Sequence, residues 1–310
     1  MKINELLGVK YPIIQGGMAN MTDGRFAAAV SNAGALGTIG SGGMKADTLK
    51  EEIAICRSET DKPFAVNLIM FRSDIAELVD VVCEAKVPFV ITGAGSPASY
   101  MDKFEEAGVK VIPVISSPIQ IKRLDKLNVF AYVAEGMEAG GHIGEMTSMT
   151  LIYQARQETD KPVIAGGGIG SGTQMLAAEV LGADGVQIGT AFLFTKESPT
   201  HDNYKDLLVK ATSTKITSIG YINGRPMRVV KNAMTREFQK LEKEEKDKEV
   251  LENFTLGRLR KAVVEGDVEQ GSVMAGYTAA QFDRIYSVEE MVNKLMSEYE
   301  ETKNKHLRRQ

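Results

Sequence analysis

The feature that most constrains the fold is a regular alternation of short apolar runs and amphipathic stretches over the first 188 residues. The runs are rich in β-branched residues, whereas stretches such as Asp74–Ala85 and Ser117–Leu127 place apolar residues three and four positions apart. Apolar strands between helices predict a parallel sheet buried on both faces. Eight units favour an α/β fold of the TIM type, a closed (β/α)8 barrel. The predicted strands are Tyr11–Gln15, Leu36–Ile39, Phe64–Leu68, Phe89–Thr92, Lys110–Ile115, Val129–Ala134, Val163–Ala165 and Gly185–Ile188.

The alternation stops after the eighth predicted strand. We therefore expect a smaller domain, residues 198–286, inserted after strand 8 into a barrel formed by residues 1–197 and 287–310. Ser287–Tyr299 has Val288, Met291, Val292 and Leu295 on one face and is predicted to be the eighth barrel helix.

Two charged segments near the C-terminus carry separate expectations. Met234–Leu251 predicts one long helix in the inserted domain. Its charge run, Glu242–Glu249, predicts a solvated helix face with Glu/Lys pairs. The basic segment Lys303–Arg309 is expected to be a frayed tail.

Composition and charge exclude several classes of protein. The chain is 43% hydrophobic, enough for a sizeable core, so it is not a disordered protein. Its net charge of −4 argues against a nucleic-acid-binding protein with a strong basic surface. Cys56 and Cys83 lack metal-ligand or redox spacing and are expected to be buried, reduced residues in helices. No signal peptide or membrane-spanning run is evident, so a soluble, cytoplasmic protein is expected.

Two glycine-rich turns follow the seventh and eighth predicted strands. Gly166-Gly167-Gly168 leads towards a helix, and Gln187 with Gly189 and Thr190 opens a short helical segment. In (β/α)8 barrels this corner of the C-terminal face often binds phosphate through free amides and a helix N-terminus. The sequence therefore predicts a phosphate site here, and the alternative is that these are only tight turns.

A third glycine-rich turn is a weaker candidate. Gly93–Ala98 has the glycine spacing of a dinucleotide-binding fingerprint, but it follows the fourth strand. The next strand ends in Ile115 and Ser116, without the acidic residue that a ribose contact requires. We therefore do not expect a Rossmann-type site.

Three polar residues at predicted strand ends are candidates for chemistry. His142 lies in a glycine-rich turn after the sixth strand, where its near-neutral pKa suits proton transfer. Glu135 ends that strand, and Asn67 interrupts the apolar third strand. Both could serve a cofactor or only pair with protein groups. His201 and His306 lie away from the mouth and are expected at the surface.

Taken together, these glycine-rich turns and polar residues resemble the motifs of the nitronate monooxygenase and enoyl reductase superfamily of FMN-dependent barrels. The resemblance covers essentially the whole chain. The stretch Glu135–Thr147 and the segment Asn223–Asn232 resemble the flavin-type enoyl-acyl-carrier-protein reductases in particular. The other matching segments are Pro12–Ala19, Ala65–Leu68, Ala165–Ile169 and Gln187–Thr190.

This resemblance implies roles for individual residues. His142 would face the flavin and contact the substrate as the catalytic residue, and a loop containing Met274 and Gly276 would cover the flavin. The resemblance also implies NADH or NADPH as co-substrate, stimulation by a monovalent cation, no bound catalytic metal and a homodimer. The FMN-binding residues would be Gly17, Met18, Ala19, Asn67, Thr92, Glu135, Gly140, Gly141, Gly166, Gly167, Gly168, Gln187, Gly189, Thr190, Met274 and Gly276.

The expected activity is reduction of a trans-2-enoyl thioester on acyl carrier protein, the last step of fatty acid elongation. Since carrier protein is acidic, Arg225, Arg228, Lys231 and Arg236 are candidates for a basic docking rim, and internal salt bridges are the alternative. Nitronate monooxygenase activity, with His142 as base and oxygen as oxidant, is the nearest rival. A non-catalytic flavin- or phosphate-binding protein is a third hypothesis. Neither nucleic acid nor membrane is an expected partner.

Overall fold

A computed structural model describes residues 1–245 and 247–307, and these residues contain eleven strands. They are β1 (Ile13–Gln15), β2 (Gly37–Gly40), β3 (Phe64–Ile69), β4 (Phe89–Gly93), β5 (Lys110–Ile115), β6 (Tyr132–Glu135), β7 (Gly141–His142), β8 (Val163–Gly166), β9 (Gly185–Ile188), β10 (Ile216–Ile219) and β11 (Met227–Val230). Eight are parallel, in the order β1-β9-β8-β6-β5-β4-β3-β2. A bridge between Ile14 and Leu36 joins β1 to β2. The predicted (β/α)8 barrel is therefore confirmed.

Helices surround this barrel and form most of the chain after β9. In the described residues they are α1 (Ile3–Leu7), α2 (Gly24–Asn32), α3 (Ala46–Glu59), α4 (Ile75–Glu84), α5 (Met101–Glu106), α6 (Pro118–Leu124), α7 (Ser148–Glu158), α8 (Gly172–Val180), α9 (Asp202–Val209), α10 (Ala233–Glu244), α11 (Lys248–Thr255), α12 (Arg258–Val263) and α13 (Val288–Leu307). Short 3-10 turns cover Ala98–Tyr100, Thr190–Phe194, Ser213–Lys215 and Tyr277–Gln281. None of these helices is both long and apolar enough to cross a bilayer.

Two apolar layers hold the barrel together. The inner layer fills the cylinder with side chains such as Phe89, Ile112 and Ile164, and α1 closes the N-terminal end with Ile3 and Leu7. The outer layer packs the strands against the helices and includes the buried Cys56 and Cys83, as expected. Because the inner layer fills the lower part of the barrel, the interior can accept a ligand at its C-terminal end.

The segment after β9 differs from the prediction in two respects. The long helix expected over Met234–Leu251 is two helices, α10 and α11. Two antiparallel strands, β10 and β11, were not anticipated, and β11 also pairs with β7. Strands of four and two residues are too short to give a periodic signal against the surrounding polar sequence.

The charge run Glu242–Glu249 is not a uniformly solvated face. Glu242 is buried, and its carboxylate accepts hydrogen bonds from the amides of Gly220 (3.1 Å) and Ile222 (3.3 Å). A charged side chain can be buried when backbone donors satisfy it. α10 begins upstream at a capping box, in which Asn232 accepts from the Thr235 amide and the Thr235 hydroxyl accepts from the Asn232 amide, both at 2.9 Å.

α13 packs against α8 on the outside of the barrel. It crosses α8 so closely that a Cβ on Gly172 would lie 2.0 Å from the Tyr299 amide nitrogen. The expected frayed tail is wrong for residues 303–307, since α13 continues to Leu307. Lys303 donates to both carboxylate oxygens of Glu179 at 3.2 Å and to the Tyr299 hydroxyl at 3.0 Å. Arg308 and Arg309 lie outside the described residues.

Candidate active site

A cavity of about 320 Å³ lies at the C-terminal end of the barrel, where the sequence placed the site. Most of the predicted residues line it: Gly17, Met18, Ala19, Asn67, Glu135, Gly140, Gly141, His142, Gly167, Gly168, Gln187, Gly189, Thr190 and Met274. Such a volume and a mixed polar and apolar lining are typical of small-molecule sites.

Three predicted residues do not line this cavity. Thr92 lies in register with Leu68, whose side chain packs in the outer layer, so Thr92 faces away from the cavity. Gly166 lies below it, because a Cβ there would contact Val133. Gly276 lies behind it, and its amide donates to the Thr190 hydroxyl at 2.9 Å.

The floor of the cavity is polar, in contrast to the apolar layer beneath it. Asn67, Glu135 and Gln187 reach it from β3, β6 and β9. The Asn67 amide group donates to the Ile91 carbonyl at 3.2 Å. The buried Gln187 Oε1 has no hydrogen-bond partner within the part of the chain that the structure describes. Since buried polar atoms are normally paired, this acceptor points to a ligand that carries a donor.

Glu135 is the most strongly perturbed acid of the site. Desolvation by the surrounding protein raises the pKa of its carboxyl from 4.5 to about 7. A substantial fraction of Glu135 is therefore protonated near neutral pH. In that form it can donate a hydrogen bond as well as accept one.

His142 is held at the mouth by a small antiparallel sheet. It lies in β7, opposite Met227 of β11, and the next amide, that of Ile143, donates to the Pro226 carbonyl at 3.0 Å. Its side chain is exposed on the cavity side, while protein surrounds its other sides. Desolvation lowers the His142 pKa below 6.5, nearby Arg225 lowers it further, and Glu252 opposes both. The neutral imidazole therefore predominates at pH 7.

Close backbone approaches require glycine at two positions of the lining. A Cβ on Gly17 would lie 2.4 Å from the Asn67 Cβ. A Cβ on Gly140 would lie 2.6 Å from the Ala275 carbonyl carbon and from the Gly276 amide nitrogen. Any larger residue at either position would displace a wall of the cavity.

The predicted phosphate corner forms one end of the cavity. Gly167 and Gly168 adopt positive φ values of 82° and 75°, which turn the chain sharply between β8 and α8. Within the described residues, the amides of Gly167, Gly168 and Ile169 donate to no main-chain carbonyl. Free amides beside the N-terminus of α8 form a suitable site for an anion.

Several lining residues were missed by the sequence reasoning. Glu138 is the most polar of them, and its carboxylate accepts from the amide and the hydroxyl of Ser148, each at 2.9 Å, at the start of α7. Its position between Glu135 and His142 was a usable signal. The apolar residues gave no signal of this kind: Met21, Ile69, Ile169, Leu193 and Leu259.

The four basic residues proposed for a docking rim do not form one surface. Arg228 is only 3% exposed, so its assignment to an exposed rim is wrong. Arg225 pairs with Glu252 and lies over the Phe71 ring, 5.7 Å from its centroid. Lys231 is exposed and donates to the Thr214 carbonyl at 2.9 Å. Arg236 is exposed. The alternative of internal pairing thus applies to Arg225.

A larger groove of about 900 Å³ lies outside the barrel between α7 and α8. Its lining is mainly apolar and includes Met149, Ile152 and Val180. Since Asn67, His142 and Gln187 do not reach it, the smaller cavity is the candidate active site. His201 caps α9 at the surface and His306 is exposed on α13, both away from His142.

Comparison with known proteins identifies the family. The family model described as nitronate monooxygenase matches residues 1–80 and 74–298. The chain belongs to this family. A probable nitronate monooxygenase of Staphylococcus saprophyticus is 30% identical, covering 89% of this chain and 91% of that protein.

Two solved structures agree with this assignment. FabK from Thermotoga maritima is 42% identical, with a TM-score of 0.94, covering 98% of this chain and 97% of that chain. A nitroalkane oxidase from Streptomyces ansochromogenes is 25% identical, with a TM-score of 0.86 and coverages of 96% and 98%. Since members of the family are flavin enzymes, the chain is a flavin-dependent oxidoreductase.

Proposed function

We propose that the protein reduces trans-2-enoyl thioesters on acyl carrier protein with NADH or NADPH, using FMN. The observation that carries this proposal is the 42% identity to FabK, an enoyl-ACP reductase of the flavin type, over 98% of the chain. The identity to the nitroalkane oxidase, at 25%, is much lower over a similar length.

The cavity fits FMN by the chemistry of its donors and acceptors. The amides of Gly167, Gly168 and Ile169 would hold the phosphate. Gln187 Oε1, the Asn67 side chain and the partly protonated Glu135 would meet the polar edge of the ring system, which carries both donors and acceptors. Bound FMN would supply the hydride transfer from nicotinamide to the β-carbon of the enoyl thioester.

His142 would act on the substrate. As hydride arrives at the β-carbon, negative charge gathers on the thioester oxygen and the α-carbon needs a proton. Held by β7 and β11 at the mouth, His142 in its imidazolium form would donate a hydrogen bond to this oxygen and deliver a proton to the α-carbon. The step would leave a neutral imidazole, which takes up a proton from water before the next turnover. The apolar residues Met21, Leu259 and Met274 would exclude water from this part of the cavity.

The decisive test combines a spectrum with two assays. Purified protein should show the visible absorbance of a flavin. Under anaerobic conditions, NADH or NADPH should be oxidised in proportion to added crotonyl thioester. Protein that is colourless and cannot be reconstituted with FMN, or flavoprotein that leaves the thioester unreduced, would refute the proposal.

A second candidate function is nitronate oxidation. The lowered pKa of His142 favours this activity, since a neutral imidazole can act as a base on a nitroalkane. The family model and the staphylococcal relative also carry this name. In this case oxygen consumption should depend on a nitronate or nitroalkane substrate, and the enoyl thioester should have no effect on flavin reoxidation.

A further inference from the structure

A buried arginine lies directly behind the loop that carries His142. Arg228 projects from β11, is only 3% exposed, and donates through Nη1 to the carbonyls of Met137 and Ala139, the latter at 3.1 Å. Its guanidinium carbon lies 4.6 Å from the centroid of the Tyr277 ring. These contacts, within the described residues, include no carboxylate, and the Nε–H has no acceptor.

An arginine in this environment is expensive to bury. Removing a guanidinium from water without a counter-charge is strongly unfavourable, and the unpaired Nε–H adds to this cost. An apolar side chain of similar size would avoid the penalty but would leave two carbonyls unpaired. The contacts made by the guanidinium must therefore offset the free-energy cost of removing it from water.

Those contacts join three segments of the chain at the mouth of the barrel. Residues 137–142 lead from β6 to His142, and β11 belongs to the segment after β9. In residues 274–277, Met274 lines the cavity and Gly276 lies behind it. Met274 forms an antiparallel β-bridge with Val229, and a Cβ on Gly276 would lie 2.8 Å from the Glu138 carbonyl oxygen. Arg228 contacts the first segment through its hydrogen bonds and the third through the Tyr277 ring.

We infer that Arg228 is a positioning residue that fixes His142 for proton delivery to the substrate. This inference rests on the proposed function. The main-chain pairing of β7 with β11 holds Gly141 and His142 at one end of the loop. The guanidinium fixes the other end, at Met137 and Ala139, so that the imidazole keeps one orientation over the cavity. Displacement of a catalytic group by about 1 Å can slow a reaction by about 100-fold.

Lysine cannot replace arginine here, although both are cations. The guanidinium donates from Nη1 to two carbonyls while its flat face lies against an aromatic ring. An ammonium group has no flat face, so it cannot hold the two carbonyls and stack on the ring in the same geometry. Arg228→Lys therefore removes the geometry and retains the charge, which makes it the diagnostic variant.

The chain offers a matched control in Arg258. This residue also donates to main-chain carbonyls, those of Phe254 (3.1 Å) and Gln270 (2.9 Å), and stacks on a ring, that of Phe254, at 4.6 Å. Its contacts lie within α11, α12 and the following turn, and none of them involves residues 137–142. Arg258→Lys therefore reproduces the chemical change away from the His142 loop.

The experiment measures the two half-reactions of the holoenzyme separately by stopped flow. In Arg228→Lys, reoxidation of reduced enzyme by crotonyl thioester should slow by about 10- to 100-fold, whereas reduction by NADH should change less than about threefold. Arg258→Lys should change neither step by more than about threefold. In a His142→Ala background, Arg228→Lys should add little, because the positioned group is gone.

Equal slowing of both half-reactions, or an effect of Arg228→Lys that persists in the His142→Ala background, would overturn the inference. Hydrogen exchange gives a second readout: amides of residues 137–142 should exchange faster in Arg228→Lys and unchanged in Arg258→Lys. Unchanged exchange in both variants also overturns it.

Two further experiments cover the cases in which Arg228→Lys does not fold or the wild type does not reduce the thioester. If Arg228→Lys does not fold, Tyr277→Leu removes the stacking partner and should cause a smaller selective loss in the thioester step. A non-selective loss would argue against a positioning role for Arg228. If the wild type does not reduce the thioester at all, the proposed function fails, and hydrogen exchange at residues 137–142 still tests whether Arg228 holds this loop.

Discussion

At the scale of single residues, the site depends on two titratable groups whose pKa values are shifted in opposite directions. Burial raises the pKa of Glu135 to about 7 and lowers that of His142 below 6.5. Both shifts favour the neutral form, as expected where water is scarce. Near pH 7 each of these two side chains therefore carries less charge than it would in water, which suits a ring system with a polar edge.

The titration of His142 should distinguish the two candidate functions. If the imidazolium delivers the α-proton, the rate of the thioester step should fall as the pH rises through the lowered pKa of His142. If His142 acts as a base on a nitroalkane, the rate of nitroalkane oxidation should instead rise over the same pH interval. His142→Gln should abolish either dependence and slow the step by about 10²- to 10⁴-fold.

A matched variant tests whether this inflection belongs to His142. Because Arg225 lowers the His142 pKa, Arg225→Met should move the inflection to higher pH. The measurement is the pH profile of flavin reoxidation in wild type and in both variants. An inflection that stays in place in Arg225→Met, or survives in His142→Gln, would assign it to another group.

Glu135 makes a prediction about stability in the apoprotein. Its pKa in the folded state, about 7, lies above the ordinary value of 4.5, so the folded protein binds this proton more tightly than the unfolded chain. Stability should therefore fall as the pH rises from about 4.5 to about 7. Glu135→Gln removes the ionisation and should be more stable than wild type at pH 8, by about 1–3 kcal/mol.

Urea unfolding of the apoprotein at pH 4, 6 and 8 measures this effect. The advantage of Glu135→Gln should grow with pH and be smallest at pH 4, where the wild-type carboxyl is protonated in both states. An advantage that is the same at all three values would show that packing, and not ionisation, is responsible.

At the scale of elements, the barrel and its glycine turns could be predicted because their signals are local and repeated. Each strand is an apolar run, and the composition of Gly166-Gly167-Gly168 alone predicts a turn. The predicted strand Val129–Ala134 begins only at Tyr132, since boundaries depend on pairing with neighbouring strands. The polar floor of the cavity could also be predicted from the sequence, because Asn67 and Glu135 are polar residues in otherwise apolar strands.

The positions of Arg228 and Thr92 could not be predicted from the neighbouring sequence alone. Arg228 lies in a stretch with Arg225 and Lys231, which by composition indicates an exposed basic surface. Its burial depends on pairing between β11 and β7, two elements separated by more than eighty positions in sequence. Thr92 follows the apolar residues of β4, and which face it occupies is fixed only by the register with β3.

The close contact between the His142 loop and residues 274–277 makes a prediction at this scale. Gly140→Ala would place a Cβ 2.6 Å from main-chain atoms of Ala275 and Gly276, which cannot rotate away. The variant should lose about 1–3 kcal/mol of stability and bind FMN more weakly, because one wall of the cavity must move. Thermal unfolding and FMN titration measure the two effects.

Gly93→Ala is the control for this substitution. Gly93 is the last residue of β4, and a Cβ there meets no atom within 4 Å. Its unfolding temperature should stay close to that of the wild type. Equal losses of stability in Gly140→Ala and Gly93→Ala would mean that glycine is needed at neither position for space.

At the scale of the whole molecule, the segment after β9 leaves the barrel and returns to it at one place. Thr195 and Tyr286 form a parallel bridge, with the Lys196 amide donating to the Tyr286 carbonyl and the Tyr286 amide to the Phe194 carbonyl, both at 2.9 Å. We propose that residues 198–286 form the inserted domain that these contacts delimit. The chain then completes the barrel with α13, so barrel closure depends on how α13 is fastened.

The fastening of α13 gives a prediction with a defined pH dependence. Glu179 of α8 accepts hydrogen bonds from the Met1 amino group, the Tyr299 hydroxyl (2.7 Å) and Lys303. Burial opposes ionisation of Glu179, but these hydrogen bonds outweigh it and lower its pKa from 4.5 to about 2. Because the folded pKa is depressed, this contribution is complete above about pH 4.5 and is lost as the pH falls towards 2.

Glu179→Gln should therefore lower the free energy of unfolding by about 1–3 kcal/mol at pH 7. The difference from wild type should shrink as the pH is lowered from 4.5 to 3, since wild-type stability then decreases towards that of the variant. Glu301→Gln is the control on α13 itself, because the exposed Glu301 accepts from Ser297 of the same helix at 2.9 Å and, among the described residues, forms no ion pair. Urea unfolding at several pH values would contradict this account if Glu179→Gln matched Glu301→Gln at pH 7. A deficit that stayed constant down to pH 3 would mean that α13 is held by packing at Gly172 and not by the Glu179 ion pairs.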